Sequence, residues 1–213
     1  MKLVCLPDFV LCGSKDFAIT HGPRGCSPTA VLHIRSGVLV SDYHTRAQLY
    51  IPPGLSDHLE RCREQNKRFA VCNLGLYPAS SYANGHSNAL LFDLTAQRIE
   101  RFEPHGQLKG HARLDKQLAL LFSRSLPTWK YLGTISIAPE RGVQAIVDAF
   151  DGMCVTFSLQ YVLLRMLNPS RSPKEVSTFM TRGTAEQLRE RVLRLNRYVA
   201  DTLRSYARGS LTR

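Results

Sequence analysis

The chain has 213 residues, of which 44% are hydrophobic and 21% charged. That is ordinary for a globular protein and enough for one sizeable core. The net charge of +11 predicts attraction to nucleic acid, anionic membrane or acidic partners without selecting among them, and no apolar run is long enough to span a bilayer.

The start, MKLVCLPDFVLCG, has one Lys and an apolar run broken by Pro7 and Asp8, a poor fit to a secretory signal. The six cysteines are Cys5, Cys12, Cys26, Cys62, Cys72 and Cys154. They form no CxxC pair, so a zinc site is weakly indicated. Free thiols in a reducing, intracellular setting are expected.

Residues 1–50 hold turn clusters at Cys12-Gly13-Ser14, His21 to Gly25 and Ser27-Pro28. Short strands are predicted at Ala30–Ile34 and Gly37–Val40. His33 and His44 read as structural or surface histidines. After the break at Pro52-Pro53-Gly54, Leu55 to Lys67 reads as an amphipathic helix with Leu55, Leu59 and Cys62 on one face. Arg68 to Tyr77 is apolar on both faces, the pattern of an interior strand, which makes Cys72 core packing.

His86 to Leu94 is predicted as a strand, Thr95-Ala96-Gln97 as a tight turn, and Arg98 to Glu103 as the returning strand, halted at Pro104-His105-Gly106. This is a β-hairpin pattern. Its open end sets His86 beside Glu103 although the sequence separates them. Asp93 lies about 23 Å from His86 at strand rise and cannot serve it. His105 lies past the strand end, without the geometry for an acid partner, and reads as a turn-capping residue. Asn88 reads as structural.

A helix is predicted over Ala112–Leu126, with Leu114, Leu118, Leu121 and Phe122 on one face, and a strand over Lys130–Ile137. Pro139 to Phe150 reads as a connector. Asp151 to Pro169, DGMCVTFSLQYVLLRMLNP, reads as a buried helix, apolar on nearly every side and stopped by Asn168-Pro169. Gln160 and Arg165 interrupt it too often for a membrane span. Cys154 sits in its first turn, where the helix dipole favours a thiolate. On this stretch alone the plainer reading is a small core residue. A short helix over Pro173–Met180 and a long one from Thr184 to about Ala207 follow, the latter opened by a TxxQ box (Thr184, Gln187). Leu188, Val192, Leu195, Val199 and Leu203 form its apolar face, and Arg189, Arg191, Arg194, Arg197 and Arg204 its basic ones.

Thiol catalysis needs a thiolate, an imidazole to relay its proton and an acid to orient the imidazole. His86, Glu103 and Cys154 supply these in that chain order. The segments HSNALLFDLTAQRIERFEPHG and DGMCVTFSLQYVLLRMLNP resemble the adenain/SUMO-protease (Ulp-like) clan of cysteine peptidases, nearest to cysteine proteases of large DNA viruses and to effector-type proteins. The resemblance runs from about Arg68 to Pro169. It implies that His86 is the catalytic base, Glu103 its acidic partner and Cys154 the nucleophile. The family also places a Gln shortly before the Cys as an oxyanion-hole donor. Gln144 is the candidate, ten positions ahead of Cys154. Asp148 and Asp151 are nearer but cannot donate when ionised. Ser87 stands where the deconjugating branch often has Trp, which favours the viral or effector branch.

The fold expected is α+β: a central mixed sheet packed against a buried helix that carries the nucleophilic Cys at its N-terminus, with flanking helices. One domain over 1–213 is expected, with its core at about 68–169 and a helical extension over 170–213. The expected function is cleavage of peptide or isopeptide bonds, in viral-type protein maturation or in removal of ubiquitin-like tags. The partner is then a protein substrate, either a polyprotein or a ubiquitin-like conjugate. No metal or organic cofactor is needed and no membrane is involved. Nucleic acid is a further partner through the basic surface, and the setting is the host cytoplasm, nucleus or a virion. The alternatives are a basic nucleic-acid-binding scaffold and an acyltransferase using the same three residues.

Overall fold

The computed structural model describes residues 38–41, 48–50, 54–77, 86–147 and 153–210. The strand expected at Ala30–Ile34, His33, His44 and Cys5, Cys12 and Cys26 lie outside them. Six strands are described: β1 (Val38–Ser41), β2 (Gln48–Tyr50), β3 (Phe69–Tyr77), β4 (His86–Asp93), β5 (Arg98–Phe102) and β6 (Lys130–Leu132). The helices are α1 (Leu55–Glu64), α2 (His111–Ser125), α3 (Thr134–Ile137), α4 (Val143–Val147), α5 (Cys154–Leu167), α6 (Pro173–Met180) and α7 (Ala185–Ser210). The fold is α+β, with one mixed sheet in the order β2-β1-β3-β4-β5-β6. β1 is parallel to β3 and β5 to β6, and the other neighbours are antiparallel.

β3 and β4 are interior strands because both their faces are apolar, and each face meets its own helical layer. Cys72, Leu74, Leu90 and Phe92 pack with Leu55 and Leu59 of α1 and Leu114, Leu118 and Phe122 of α2. Phe69, Val71, Ala89, Leu91 and Phe102 pack with Phe157, Tyr161 and Met166 of α5 and Val192 of α7. Phe102 stacks on Tyr161 with ring centroids 4.3 Å apart. Fully burying one such side chain contributes about 1.5–3 kcal/mol.

Local sequence sets the helix ends. Ser172 and Glu175 form a reciprocal capping box at α6, and Thr184 and Gln187 do the same for α7. The buried residues of α2 are His111, Leu114, Leu118 and Phe122, on one face.

Two stretches differ from the expectation. Lys130–Ile137 is strand only as far as Leu132. Asp115 is the reason. Its carboxylate accepts from the Thr134 backbone N–H at 2.8 Å and from the Thr134 hydroxyl at 2.6 Å. That satisfies a first-turn donor and starts α3. Gly133 allows it, since a Cβ there would lie 2.5 Å from Asp115 Cγ. Within the expected connector, Val143–Val147 forms α4, with Val143 and Gln144 buried. The interruptions of α5 are not surface residues either: Gln160 and Arg165 are buried.

Candidate active site

The site forms where the sheet's two layers meet at one end. β4 begins at His86 and β5 ends at Phe102, with Ala89 opposite Phe102. Glu103 follows and lies on the α2 side. Cys154 is the first residue of α5, on the other side. His86 stands between them at the strand end. Its Nε2–H donates to Glu103 Oε1 at 2.6 Å. Because Glu103 occupies Nε2, Nδ1 is the nitrogen left for the thiol. The Cys154 side chain hydrogen-bonds the His86 ring, and the backbone at Ser87 and Val155 also bonds the sulfur. The structure thus brings His86, Glu103 and Cys154 into one chain of contacts.

The charges follow from that chain. Burial alone would lower the His86 pKa. The hydrogen bonds from Cys154 and Glu103 and the charge on each outweigh it and raise it to about 9. Burial would raise the Cys154 pKa, but the His86 bond, the backbone at Ser87, the His86 charge and the backbone at Val155 bring it below the ordinary thiol value. Burial also works against the Glu103 carboxylate. The bonds from His105 and His86 and the charges of His86 and Arg101 hold it well below the usual carboxylate range. The groups therefore favour a thiolate facing an imidazolium braced by a carboxylate.

The remaining Glu103 oxygen is fixed from behind. Asn88 Nδ2 donates to Oε2 at 2.8 Å, and Asn88 Oδ1 accepts from Arg101 Nε at 2.8 Å. Arg101 is fully buried. It also donates to Asp115 Oδ1 at 2.8 Å and to His111 Nδ1 at 3.1 Å. His111 accepts that bond as a neutral ring, and burial plus the Arg101 charge lower its pKa to about 4. Asn88 is therefore part of the carboxylate's support.

His105 corrects the sequence reading. Its backbone N–H donates to Glu103 Oε1 at 2.9 Å. Its ring Nδ1 lies 3.4 Å from that oxygen and 3.4 Å from His86 Nε2. The cause is register: continuing the β4–β5 pairing past Ala89 and Phe102 sets Asn88 opposite Glu103 and His86 opposite His105. The alternation of the two strands carries this signal. His86, Glu103 and His105 are also the one described group whose ligand atoms, all within 4.8 Å of one another, suit a metal ion.

Gln144 is buried in α4. Its backbone N–H donates to the carbonyl of Pro104 at 2.9 Å, next to Glu103. α4 also packs on α5. The Gln144 Oε1 is buried without a hydrogen-bond partner. Turning the side-chain amide over exchanges this acceptor for the Nε2 donors without changing the side chain's shape. Cys154 opens its helix, so its N–H has no partner within the helix and is the second candidate donor.

No protein-family model matches this sequence, and no curated protein matches it. Among solved structures, the Chlamydia trachomatis effector protein ChlaDUB1 is similar, with a TM-score of 0.46 and 11% identity. The similarity covers 72% of this chain and 64% of that one, so this chain spans less than two thirds of that protein.

Proposed function

We propose that the chain is a cysteine-type peptidase or isopeptidase with Cys154 as nucleophile. The observation that carries this reading is the continuous thiol–imidazole–carboxylate contact of Cys154, His86 and Glu103 at the start of a buried helix. The Cys154 thiolate attacks the scissile carbonyl carbon, and the carbonyl oxygen takes the negative charge. The Gln144 amide, turned to present Nε2, and the Cys154 backbone N–H stabilise that oxygen. His86 gives its Nδ1 proton to the leaving amine, whose bond to carbon breaks to leave a thioester. Nδ1 then takes a proton from water, whose oxygen displaces the thiolate and releases the acid. Glu103 keeps its bond to Nε2 throughout and holds the ring in the tautomer that serves the thiol. The substrate is a protein, either a ubiquitin-like conjugate or an extended peptide of a polyprotein. An intracellular setting suits a reduced nucleophile.

The test is labelling with ubiquitin and ubiquitin-like proteins that carry a C-terminal thiol-reactive warhead, with Cys154→Ala as control. Adduct at Cys154 with one probe names the substrate class. Adduct only with a small alkylator, again selective for Cys154, indicates an extended-peptide substrate. Labelling of Cys154 no faster than of Cys62 or Cys72 overturns the reading.

A second reading, nucleic-acid binding, is favoured by one observation: Arg189, Arg194, Arg197 and Arg204 are exposed along α7. Glu190 and Asp201 pair with two of them, so the face is mixed. Binding that weakens steeply with salt and survives Cys154→Ala supports it.

A further inference from the structure

His86 and His105 face one another across the end of the hairpin with Glu103 below both. Two imidazoles and one carboxylate are the donor set of open, three-ligand zinc sites. Zinc bonds of about 2.0–2.2 Å set the ligand atoms of a tetrahedral site about 3.3–3.6 Å apart. Two of the three edges have that length already. His105 Nδ1 is 3.4 Å from His86 Nε2 and 3.4 Å from Glu103 Oε1. The third, His86 Nε2 to Glu103 Oε1, is a 2.6 Å hydrogen bond. It opens by about 0.8 Å if a metal takes the place of its proton. The carboxylate is fixed on its far side by Asn88. The His86 and His105 side chains are 18% and 33% exposed, which leaves an approach for the ion and room for a water as fourth ligand. Arg101, whose NH2 lies 3.8 Å from Glu103 Oε2, opposes a cation, but its charge is already paired with Asp115 at 2.8 Å.

We propose that His86, Glu103 and His105 bind Zn²⁺ in place of the His86–Glu103 proton, and that this metal switches Cys154 off. Binding follows from the cluster alone. The inhibition rests on the cysteine-nucleophile reading above. Its logic is proton bookkeeping on one ring. In the active form Nε2 keeps its proton on Glu103 while Nδ1 gives one to the leaving amine. With metal on Nε2, giving up the Nδ1 proton would leave an imidazolate, so the metal-bound imidazole is a far weaker acid than the imidazolium it replaces. The leaving amine then goes unprotonated and the first step stalls. Cys154 bonds the same ring but is not one of the three clustered ligands.

The test titrates tag-free full-length protein with Zn²⁺ against a chromophoric chelator, and with Co²⁺ to report sulfur ligation by charge-transfer absorption. One equivalent bound without a thiolate band, retained in Cys154→Ala and weakened more than about tenfold in His105→Ala, is the expected result. Glu103→Gln, which keeps the side chain's shape, weakens it as well. Loss of binding in Cys154→Ala, a thiolate band, or undiminished binding in His105→Ala overturns the site. Cys154-dependent substrate cleavage that is undiminished when the site is saturated with Zn²⁺ overturns the inhibitory role. If zinc binds as expected but Cys154 proves unreactive without it, the metal site stands and the peptidase reading falls. A reactive Cys154 with no zinc bound is the reverse.

Discussion

A thiol attacks only as its thiolate, so the pH at which Cys154 ionises governs what it can do. Burial works to raise the Cys154 pKa, but the His86 bond, the backbone bonds and the His86 charge bring it below the ordinary thiol value, so its thiolate forms at lower pH than that of a free thiol. His86 is raised to about 9, so its positive charge persists up to that pH. In the proposed reaction, cleavage needs both forms at once. Its rate therefore rises as pH climbs through the depressed Cys154 value and falls as His86 loses its proton near pH 9. Glu103→Gln removes the charge that helps hold that proton. The alkaline limb then moves to lower pH by about one unit or more. The measurement is the rate of cleavage of any substrate the wild type accepts, beside alkylation of Cys154 read by mass spectrometry across the same pH range. An alkylation rate at pH 7 no greater than that of an unfolded thiol removes the ion pair and the reading with it.

At the scale of elements, two connections share the work of aiming the site. Gly142 N–H donates to His105 carbonyl at 2.8 Å, Gln144 N–H to Pro104 carbonyl at 2.9 Å, and Gln107 Nε2 to Ala138 carbonyl at 2.7 Å. The turn after β5 and the approach to α4 are thus stitched by two backbone bonds and one from the Gln107 side chain. Gly142 is where they come closest, since a Cβ there would lie 2.3 Å from the Pro104 oxygen and 2.4 Å from Gly106 N. Backbone atoms cannot swing aside. Gly142→Ala is therefore expected to cost about 1–3 kcal/mol of stability by overpacking, and to slow Cys154 alkylation by displacing the Glu103 turn. Urea unfolding and the labelling rate check it. An unchanged labelling rate would show that the turn does not aim the site. Little of this stitching was legible in the sequence. The hairpin was, because the turn Thr95-Ala96-Gln97 sits between two strand-like runs, and its open end sets His86 beside Glu103. One-faced apolar spacing marks α1, α2 and α7, and Pro173 in the first turn marks α6. What escaped were pairings between distant polar groups: Asp115 starting α3, Arg101 bracing Asn88, and His105 completing the cluster. Hydrophobic period says which face is buried, not which buried polar groups meet there.

The whole molecule sets where the thiol sits relative to the imidazole, because they ride on different layers. One strong tie between the layers is a buried ion pair. Arg165 of α5 donates from Nε to Glu100 Oε2 at 2.8 Å and from NH2 to Glu100 Oε1 at 2.8 Å. Tyr161 donates to the same carboxylate at 2.9 Å. Arg165 NH1 continues to the Arg171 carbonyl at 2.9 Å, which holds the loop leading to α6. Both charges are fully buried. Removing one of them strands the other, so Glu100→Ala is expected to cost about 3–5 kcal/mol, whereas replacing both by apolar residues costs far less. Asp93, 3.9 Å from Arg165 NH2, softens the loss only in part. The expected outcome is a strongly lowered urea midpoint for Glu100→Ala and a largely restored one for Glu100→Leu with Arg165→Met. The double variant then separates stability from aim. If it folds well yet labels at Cys154 more slowly than wild type, the pair's directional bonds hold α5 in register with β4 as well as holding it down. If stability and labelling recover together, apolar packing through Phe102, Phe157 and Tyr161 sets that register by itself, and the pair serves the layer contact alone.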